Sequence, residues 1–303
     1  MLRREKQIIV ETVCGLGNRL QGLVSAQRLA HLSGRRLHLI WNELQPYQRR
    51  NSAGRFSDLF ENPIDEMDNW ESLASETSIV TFINEPLSID WNWGNHPPGP
   101  SVRSAIVDIH NLEEVQTICI RTKGILFDSI TPLRAFEQEL ASLFLELEPV
   151  RYVSSIVNAI QSTFFTENML GVHIRRGDFL ELMRYNGTCI TAVEDYIRCI
   201  DQHLEVGPFD RLYLATDDTD VRVRLRQRYG TQLCVSFEPR SLDRSTVEAI
   251  QDALIDLLLL SRSRYLIGTK RSSFSRVASW PNLAKSVHLS ERRLFVRSED
   301  VGR

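Results

Sequence analysis

Short apolar runs alternate along the chain with segments in which apolar residues recur every three or four positions. The run at residues 8–13 predicts a buried strand, the periodic segment 20–32 predicts a helix, and residues 37–41 predict a second strand. A strand, a helix and a strand in this order form a β-α-β unit. We therefore expect a parallel sheet with a right-handed crossover at the start of the chain.

The same alternation continues to the other end of the chain. Further strands are predicted at residues 78–83, 117–121, 169–174, 212–215, 232–236 and 264–268, the last of these being the final strand. Helices are predicted at residues 133–147, 150–162, 191–204, 220–229 and 245–261, with a final helix from Ser272. Thr191 followed by Glu194 is typical of a capping box.

This alternation predicts an α/β protein made of two Rossmann-like domains that face each other across a cleft. A break before Pro149, which is expected to begin a new helix, divides the periodic segments. We place the domains at residues 1–148 and 149–303.

Composition narrows the classes of protein. The chain has 303 residues, of which 42% are hydrophobic and 25% charged, as in a globular protein with a sizeable core. The formal net charge of −3 provides no overall basic field for nucleic acid. The amino terminus lacks the apolar core of a signal peptide, and no apolar run is long enough for an integral membrane segment. Five cysteines without CxxC spacing indicate reduced thiols, so we expect a cytoplasmic protein.

A pair of arginines follows one predicted strand. His173, Arg175, Arg176 and Asp178 stand where the buried strand 169–174 opens into a loop. Ligands of open α/β sheets bind at such carboxyl ends, and guanidinium groups suit phosphate or carboxylate. The alternative is a pair of surface arginines with Asp178 as their local counter-ion.

A glycine-rich stretch lies between the first strand and the first helix. Gly15 and Gly17 resemble part of a dinucleotide fingerprint, and Glu43 lies where an acid would bind a ribose. Leu20 replaces the third glycine, however, and would crowd the contact between helix and strand. The alternative is a tight strand-to-helix turn with no ligand.

Two more stretches hold polar side chains at strand ends. Asp217 is placed to accept hydrogen bonds from a base or a ribose. Residues 218–220 either provide an Asp-x-Asp metal site or begin a helix, with an acid as its cap. Ser272 and Ser273 are either ligands of a phosphate or ordinary caps of the final helix.

Four of these stretches occur together in one order. They are Gly-Leu-Gly-Asn-Arg-Leu from Gly15, His-Ile-Arg-Arg-Gly-Asp from His173, Leu-Ala-Thr-Asp-Asp from Leu214, and Asp256-x7-Arg264 followed by Ser-Ser-Phe-Ser-Arg from Ser272. The ordered set resembles the superfamily of α-1,2-, α-1,6- and protein O-fucosyltransferases, and the arginine motif is its strongest part. The similarity runs from about residue 8 to residue 280, without a recognisable motif at residues 42–148.

The resemblance implies a GT-B-like fold with GDP-fucose bound mainly by the second domain, while the first domain faces the acceptor. By the resemblance, Arg175 and Arg176 hold the diphosphate and Asp178 orients them. The other residues it implies at the donor are His173, Asp217, Ser272, Ser273 and, from a first-domain loop, Gly17 and Asn18. An acid just after the arginine motif is the base of the α-1,6 enzymes, and Glu181 is near that position but at a different spacing.

The resemblance thus implies an inverting glycosyltransferase that moves fucose from GDP-fucose to a sugar hydroxyl of a glycan or glycoconjugate, with no metal and no other cofactor. Asp178 and Glu181 are candidates for the base that deprotonates the acceptor. The aromatic residues Trp91 and Trp93 either stack on an acceptor sugar or pack in the interior. A non-catalytic nucleotide-sugar-binding protein and a dinucleotide-dependent enzyme stay open as alternatives.

Overall fold

The structure is a computed structural model, and it describes residues 5–41, 53–68, 79–84, 112–128, 130–185, 190–282 and 286–289. The chain divides into two compact units. The first contains residues 1–150 and 243–250, and the second contains residues 151–242 and 251–303.

The first unit contains a five-stranded parallel sheet in the order β3-β2-β1-β5-β4. Its strands are β1 (Gln7–Thr12), β2 (Arg36–Ile40), β3 (Asp65–Glu66), β4 (Ile79–Asn84) and β5 (Thr117–Thr122). Its described helices are α1 (Leu16–Ser33) and α2 (Leu133–Leu145), and a 3₁₀ turn lies at Phe56–Asp58. The predicted β-α-β unit is confirmed as β1, α1 and β2, with β1 and β2 parallel.

Helix α1 approaches the sheet most closely at Gly22. A Cβ atom on Gly22 would lie 2.8 Å from the Cγ2 atom of Thr12 and 2.9 Å from that of Thr122. Leu20, two residues earlier, is fully buried. The close packing that a dinucleotide fingerprint assigns to its third glycine is therefore provided here by Gly22.

The second unit contains a second five-stranded parallel sheet, in the order β10-β9-β6-β7-β8. Its strands are β6 (Met169–Ile174), β7 (Arg211–Thr216), β8 (Cys234–Val235), β9 (Tyr265–Thr269) and β10 (Ser286–Leu289). Its helices are α3 (Arg151–Phe164), α4 (Gly177–Tyr185), α5 (Val193–Val206), α6 (Thr219–Leu233) and α8 (Ser273–Ser279), with a 3₁₀ turn at Trp280–Asn282. Helix α7 (Val247–Ser261) begins in the segment assigned to the first unit and continues into the second.

The core of the second unit follows from its sequence. Strand β6 is buried at every position, and strand β7 at every position after its first. On one face, Leu170, Val172 and Leu214 pack in a cluster with Ile200 of α5 and Leu225 of α6. Both sheets are parallel and carry helices, so the predicted α/β class with two Rossmann-like units is confirmed.

Several predicted elements are corrected. The glycine-rich turn ends at Gly15, because α1 begins at Leu16 and Gly17 and Asn18 lie in its first turn. Residues 232 and 233 end α6 instead of beginning a strand. The strand at Tyr265–Thr269 is not the final one, since β10 follows it. Helix α3 begins at Arg151, two residues after Pro149.

The predicted capping box at Thr191 is also wrong. Helix α5 begins at Val193, its N-cap is Ala192, and no side chain caps it. The backbone oxygen of Thr191 instead accepts a hydrogen bond from Arg176, and its side chain bonds the hydroxyl of Tyr196. The side chain of Thr191, which a capping box would use, therefore bonds Tyr196 instead.

Candidate active site

The order of strands in the second unit places a switch point beside the arginine pair. The chain passes from β6 to β7 and β8 on one side, then returns to β9 and β10 on the other. The order therefore reverses between β6 and β9, and ligands of open α/β sheets bind outside the carboxyl ends of strands at such a point. Arg175 and Arg176 directly follow the last residue of β6.

Arg175 lies between two carboxylates. Its Nη1 donates to Oδ2 of Asp217, and its Nη2 donates to Oδ1 of Asp178. The side chains of Arg175 and Asp217 are 16% and 19% exposed, whereas that of Asp178 is 57% exposed. The pair with Asp217 is therefore the inner one, and the pair with Asp178 lies at the surface.

Asp217 also holds the backbone of the arginine pair. Its Oδ1 accepts the backbone N–H of Arg176 at 2.7 Å, while its Oδ2 accepts from Arg175. The structure therefore brings Asp217 to the pair that the sequence predicted as an anion site, and both carboxylate oxygens have partners there.

Within the described chain, one nitrogen of the Arg176 guanidinium has a hydrogen-bond partner. Its Nη1 donates to the backbone oxygen of Thr191 at 3.1 Å. Its Nε is buried and has no hydrogen-bond partner in the described part of the chain. Leaving a buried donor unsatisfied costs about 1–3 kcal/mol, and more for a charged group. An anionic oxygen beside this Nε would recover that free energy.

Gly177 is a residue of the site that the sequence did not single out. Its φ is +27°, and a Cβ atom there would lie 2.7 Å from Oδ2 of Asp217. Only glycine lets the chain turn from β6 into α4 at this distance from the carboxylate. Helix α4 then places Asp178 in its first turn and the exposed Glu181 one turn later.

His173 is 5% exposed at the end of β6. Its Nδ1 lies 2.6 Å from the hydroxyl oxygen of Ser275, and its ring lies against that of Phe274, with 4.8 Å between centroids. The structure therefore places His173 beside α8, and the sequence did not predict its contacts with Ser275 and Phe274.

Thr269 and Tyr196 also belong to this region, and the sequence did not single them out. The Thr269 hydroxyl donates to the backbone oxygen of His173 at 3.0 Å and accepts the backbone N–H of Arg175 at 3.0 Å. It lies 2.9 Å from the hydroxyl of Tyr196, which is 1% exposed. The polar stretch before the final helix was the only signal for Thr269, and Tyr196 carried none because it faces inward from α5.

At two candidate positions the structure shows ordinary helix caps. Oδ1 of Asp218 accepts the backbone N–H of Val221 at the start of α6. The hydroxyl of Ser272 accepts the backbone N–H of Ser275, and Ser273 is the first residue of α8. The described residues contain no group of three or more His, Cys, Asp or Glu side chains placed to hold a metal ion.

The remaining candidates lie elsewhere. Gly17 is buried in the first turn of α1, and the backbone N–H of Asn18 donates to the oxygen of Gly15, so both are helical and not in a loop. Glu43, Trp91 and Trp93 lie outside the described residues.

Asp256, which the ordered motifs include, is partly buried in the middle of α7. The hydroxyl of Tyr213 donates to its Oδ1 at 2.5 Å. Burial raises the pKa of Asp256 to about 7, although the hydrogen bond from Tyr213 and the charge of Arg222 act in the opposite direction. The contact joins α7 to β7 inside the second unit.

Comparison with known proteins confirms the resemblance. Residues 147–294, just under half of the chain, match the family model described as the N- and catalytic domains of alpha-(1,6)-fucosyltransferase. The chain resembles the fucosyltransferase superfamily in this match and in its fold. The match indicates a glycosyltransferase, and the matched residues include the arginine pair and both strands at the switch point. No curated protein matches the chain at a significant level.

Solved structures share the fold over nearly the whole chain. Fucosyltransferase NodZ from Bradyrhizobium matches with a TM-score of 0.64 and 18% identity, covering 95% of this chain and 97% of that one. Arabidopsis thaliana FUT1 in complex with GDP matches with a TM-score of 0.61 and 14% identity, covering 96% and 71%. POFUT1 in its apo form matches with a TM-score of 0.56 and 11% identity, covering 96% and 99%. At these identities the likeness concerns the fold alone.

Among the helices that the structure describes, none has both the length and the apolar character needed to cross a membrane.

Proposed function

We propose that this glycosyltransferase moves fucose from GDP-fucose to a sugar hydroxyl of a glycan or glycoconjugate. The observation that carries the proposal is the position of Arg176, whose buried Nε has no partner in the described chain and lies next to the switch point of the sheet. A diphosphate oxygen supplies the acceptor that this donor lacks. NodZ has been crystallised with GDP-fucose, which supports the choice of donor.

The difficult step is cleavage of the bond between the anomeric carbon and the diphosphate, through an oxocarbenium-like transition state. Negative charge grows on the departing diphosphate as the bond breaks. In our proposal Arg175 and Arg176 stabilise that charge in place of a metal ion, and fixed donors of this kind usually contribute more to catalysis than any other single effect. The acceptor oxygen attacks from the opposite side of the sugar ring, which inverts the anomeric centre.

Asp178 and Glu181, the two carboxylates of α4, have different roles in our proposal. Asp178 is bound to Arg175 and orients it, so it is the weaker candidate for the base. Glu181 is exposed one helical turn later, and we propose that it removes the proton of the acceptor hydroxyl. We propose that four further residues contact the nucleotide sugar: His173, Asp217, Ser272 and Ser273.

The division of labour follows the two units. In our proposal the second unit binds the nucleotide sugar and the first serves the acceptor, while Gly17 and Asn18 in the first turn of α1 contact the nucleotide sugar from the first unit. The buried cysteines Cys199 and Cys234, which form no disulfide within the described residues, support a reducing compartment such as the cytoplasm.

The decisive experiment is the substitution Arg176→Ala. Removal of one fixed donor to developing negative charge costs about 3–4 kcal/mol in comparable sites, so turnover of GDP-fucose should fall by roughly a hundredfold or more. Turnover is measured as release of GDP in the presence of glycan acceptors, and folding is monitored by circular dichroism.

Arg264→Ala is the matched control, since Arg264 is an exposed arginine that bonds Asn168 at the amino end of β9. The control should turn over like the wild type. Near-normal turnover of Arg176→Ala would remove the basis of the proposal. GDP binding without any transfer or hydrolysis would instead indicate a non-catalytic nucleotide-sugar-binding protein.

A further inference from the structure

We propose that Thr269 is a positioning residue for the arginine pair: its hydroxyl bridges β6 and β9 where their ladder has ended and thereby fixes the backbone that carries Arg175 and Arg176. The inference rests on the proposed function, because it concerns the same anion site. It assigns a role to a side chain that has no need to touch the substrate.

The register of β6 and β9 shows where their ladder ends. The pairs between β6 and β9 are Leu170 with Tyr265, Gly171 with Leu266, and Val172 with Ile267. Both strands continue for two more residues, to Ile174 and Thr269, without further pairs between them. The strands therefore part at the switch point, and the last backbone groups of β6 need another partner on this side.

The Thr269 side chain provides that partner. Its hydroxyl accepts the N–H of Arg175 and donates to the carbonyl of His173, both at 3.0 Å. One hydroxyl thus replaces the two hydrogen bonds that the missing ladder would have made. Thr269 is itself fixed, since its backbone N–H donates to the hydroxyl oxygen of Ser275 at 3.0 Å and its backbone pairs with Leu289 of β10.

The hydrogen bonds of the Thr269 hydroxyl have a defined direction. A threonine hydroxyl has one proton and two lone pairs. The Thr269 proton goes to His173 and one lone pair accepts from Arg175, so the bond with Tyr196 at 2.9 Å must have Tyr196 as its donor. Burial raises the pKa of Tyr196 to about 12, so the phenol keeps its proton at physiological pH.

Tyr196 extends the connection to the second arginine. Its hydroxyl also bonds the side chain of Thr191, and the backbone oxygen of Thr191 accepts from Nη1 of Arg176 at 3.1 Å. Thr269, Tyr196 and Thr191, which we call the hydroxyl relay, therefore tie the backbone of Arg175 to the guanidinium of Arg176. A change in the relay should move both arginines relative to a bound diphosphate.

Thr269→Val tests the inference, because valine keeps the shape of threonine and removes only the hydroxyl. We expect the Kd for GDP, measured by calorimetry, to rise about tenfold, and kcat for GDP-fucose to fall by roughly a hundredfold, as small misplacements of catalytic groups do. Thr269→Ser restores the hydroxyl and should return both constants to within about threefold of the wild type.

Ser261→Ala is the matched control. It also removes a buried hydroxyl, which bonds the oxygen of Leu258 in the last turn of α7, away from the arginine pair. It should lower the free energy of unfolding but leave Kd and kcat unchanged. If Thr269→Val behaves in the same way, losing stability while keeping wild-type Kd and kcat, Thr269 is merely structural and the inference is overturned.

Tyr196→Phe keeps the test decisive if Thr269→Val does not fold. It removes one donor from the relay and should raise the Kd for GDP by roughly threefold to tenfold, the effect of one hydrogen bond. Unchanged Kd and kcat in that variant would overturn the inference. Failure of the wild type to bind GDP refutes the proposed function itself, which separates the two outcomes.

Discussion

At the scale of single residues, Gly177 is the position where the least change should have the largest effect. Gly177→Ala places a methyl group 2.7 Å from Oδ2 of Asp217 and strains a φ of +27°. Asp217 cannot yield freely, because it holds both the guanidinium of Arg175 and the backbone of Arg176. We expect loss of about 1–2 kcal/mol of stability and at least about a tenfold rise in the Kd for GDP.

The control for this prediction is Gly124→Ala. A Cβ atom on Gly124 would meet only the side-chain oxygen of Gln21, at an ordinary 3.9 Å. Calorimetry of GDP binding and denaturant unfolding compare the two variants. Equal GDP affinity in Gly177→Ala and in the wild type would show that the arginine pair does not depend on this turn.

At Arg271, in contrast, substitution by glycine should raise the free energy of unfolding. Its φ is +63°, in a turn closed by the hydrogen bond from the N–H of Ser272 to the oxygen of Thr269. The left-handed region costs a non-glycine residue about 1–2 kcal/mol, partly offset by the greater freedom of glycine in the unfolded chain. Arg271→Gly should therefore raise the free energy of unfolding by about 0.5 kcal/mol.

Lys270→Gly is the matched control, since the neighbouring Lys270 does not have a positive φ. It should lower stability by up to about 1 kcal/mol in the same urea titration. If Arg271→Gly destabilises the protein as much as Lys270→Gly does, the side chain of Arg271 contributes more than its backbone strain costs.

At the scale of elements, α1 and α2 are joined through a buried arginine. Arg28 of α1 donates to Asp128 and to Glu139 of α2, both at 2.5 Å, and lies over the ring of Phe136. Burial alone would raise the pKa of Asp128. Hydrogen bonds from the N–H groups of Thr131 and Ile130 and from Arg28 outweigh it and lower the pKa to about 2.

This lowered pKa predicts acid sensitivity of the first unit. A carboxyl group with a lower pKa in the folded state stabilises the protein above its unfolded pKa of 3.8, and the stabilisation disappears as the pH falls towards 2. The contribution amounts to about 2 kcal/mol at neutral pH. The difference in unfolding free energy between the wild type and Asp128→Asn should therefore shrink between pH 5 and pH 2. A difference that stays constant over this range contradicts the assignment.

The elements also show what the sequence can predict. Strand β6 was predicted at its observed bounds because a continuous apolar run between polar residues is typical of a strand buried on both faces. Helix α4 was not predicted, because glycine and charged residues at its start resemble a loop. The capping box at Thr191 failed because the Thr191 side chain bonds Tyr196 of the next turn, while its backbone oxygen accepts from Arg176, which follows β6. Local patterns contain no information about such competition.

The sequence likewise predicts some residues of the candidate site and not others. The arginine pair and Asp217 were predictable, since charged residues at the ends of parallel strands meet at one edge of a sheet. Gly177, Thr269 and Tyr196 were not, because their importance depends on where β6 and β9 part and on which hydroxyl receives which proton. Those facts arise from strand register, which the sequence of either strand alone does not determine.

At the scale of the whole molecule, ligand binding should distinguish the possible functions. A ligand that binds only the folded state raises its stability, by about 2.7 kcal/mol at a hundred times the Kd. We expect GDP and GDP-fucose to raise the Tm of the wild type in the presence of EDTA, and NAD to leave it unchanged. EDTA should also leave transfer unaffected if, as we propose, Arg175 and Arg176 supply the positive charge that a metal would otherwise supply.

Other results of the ligand screen would support a different function. Stabilisation by GDP that EDTA abolishes would support an Asp-x-Asp metal enzyme, although Asp218 is engaged as the cap of α6. Stabilisation by NAD alone would support the dinucleotide interpretation of Gly15, where a Cβ atom would meet no protein atom within 4 Å. The same screen with Arg176→Ala tests whether the effect of GDP on the Tm of the whole protein depends on this residue. If GDP acts through the unpaired Nε of Arg176, the shift in Tm should largely disappear in that variant and persist in Arg264→Ala.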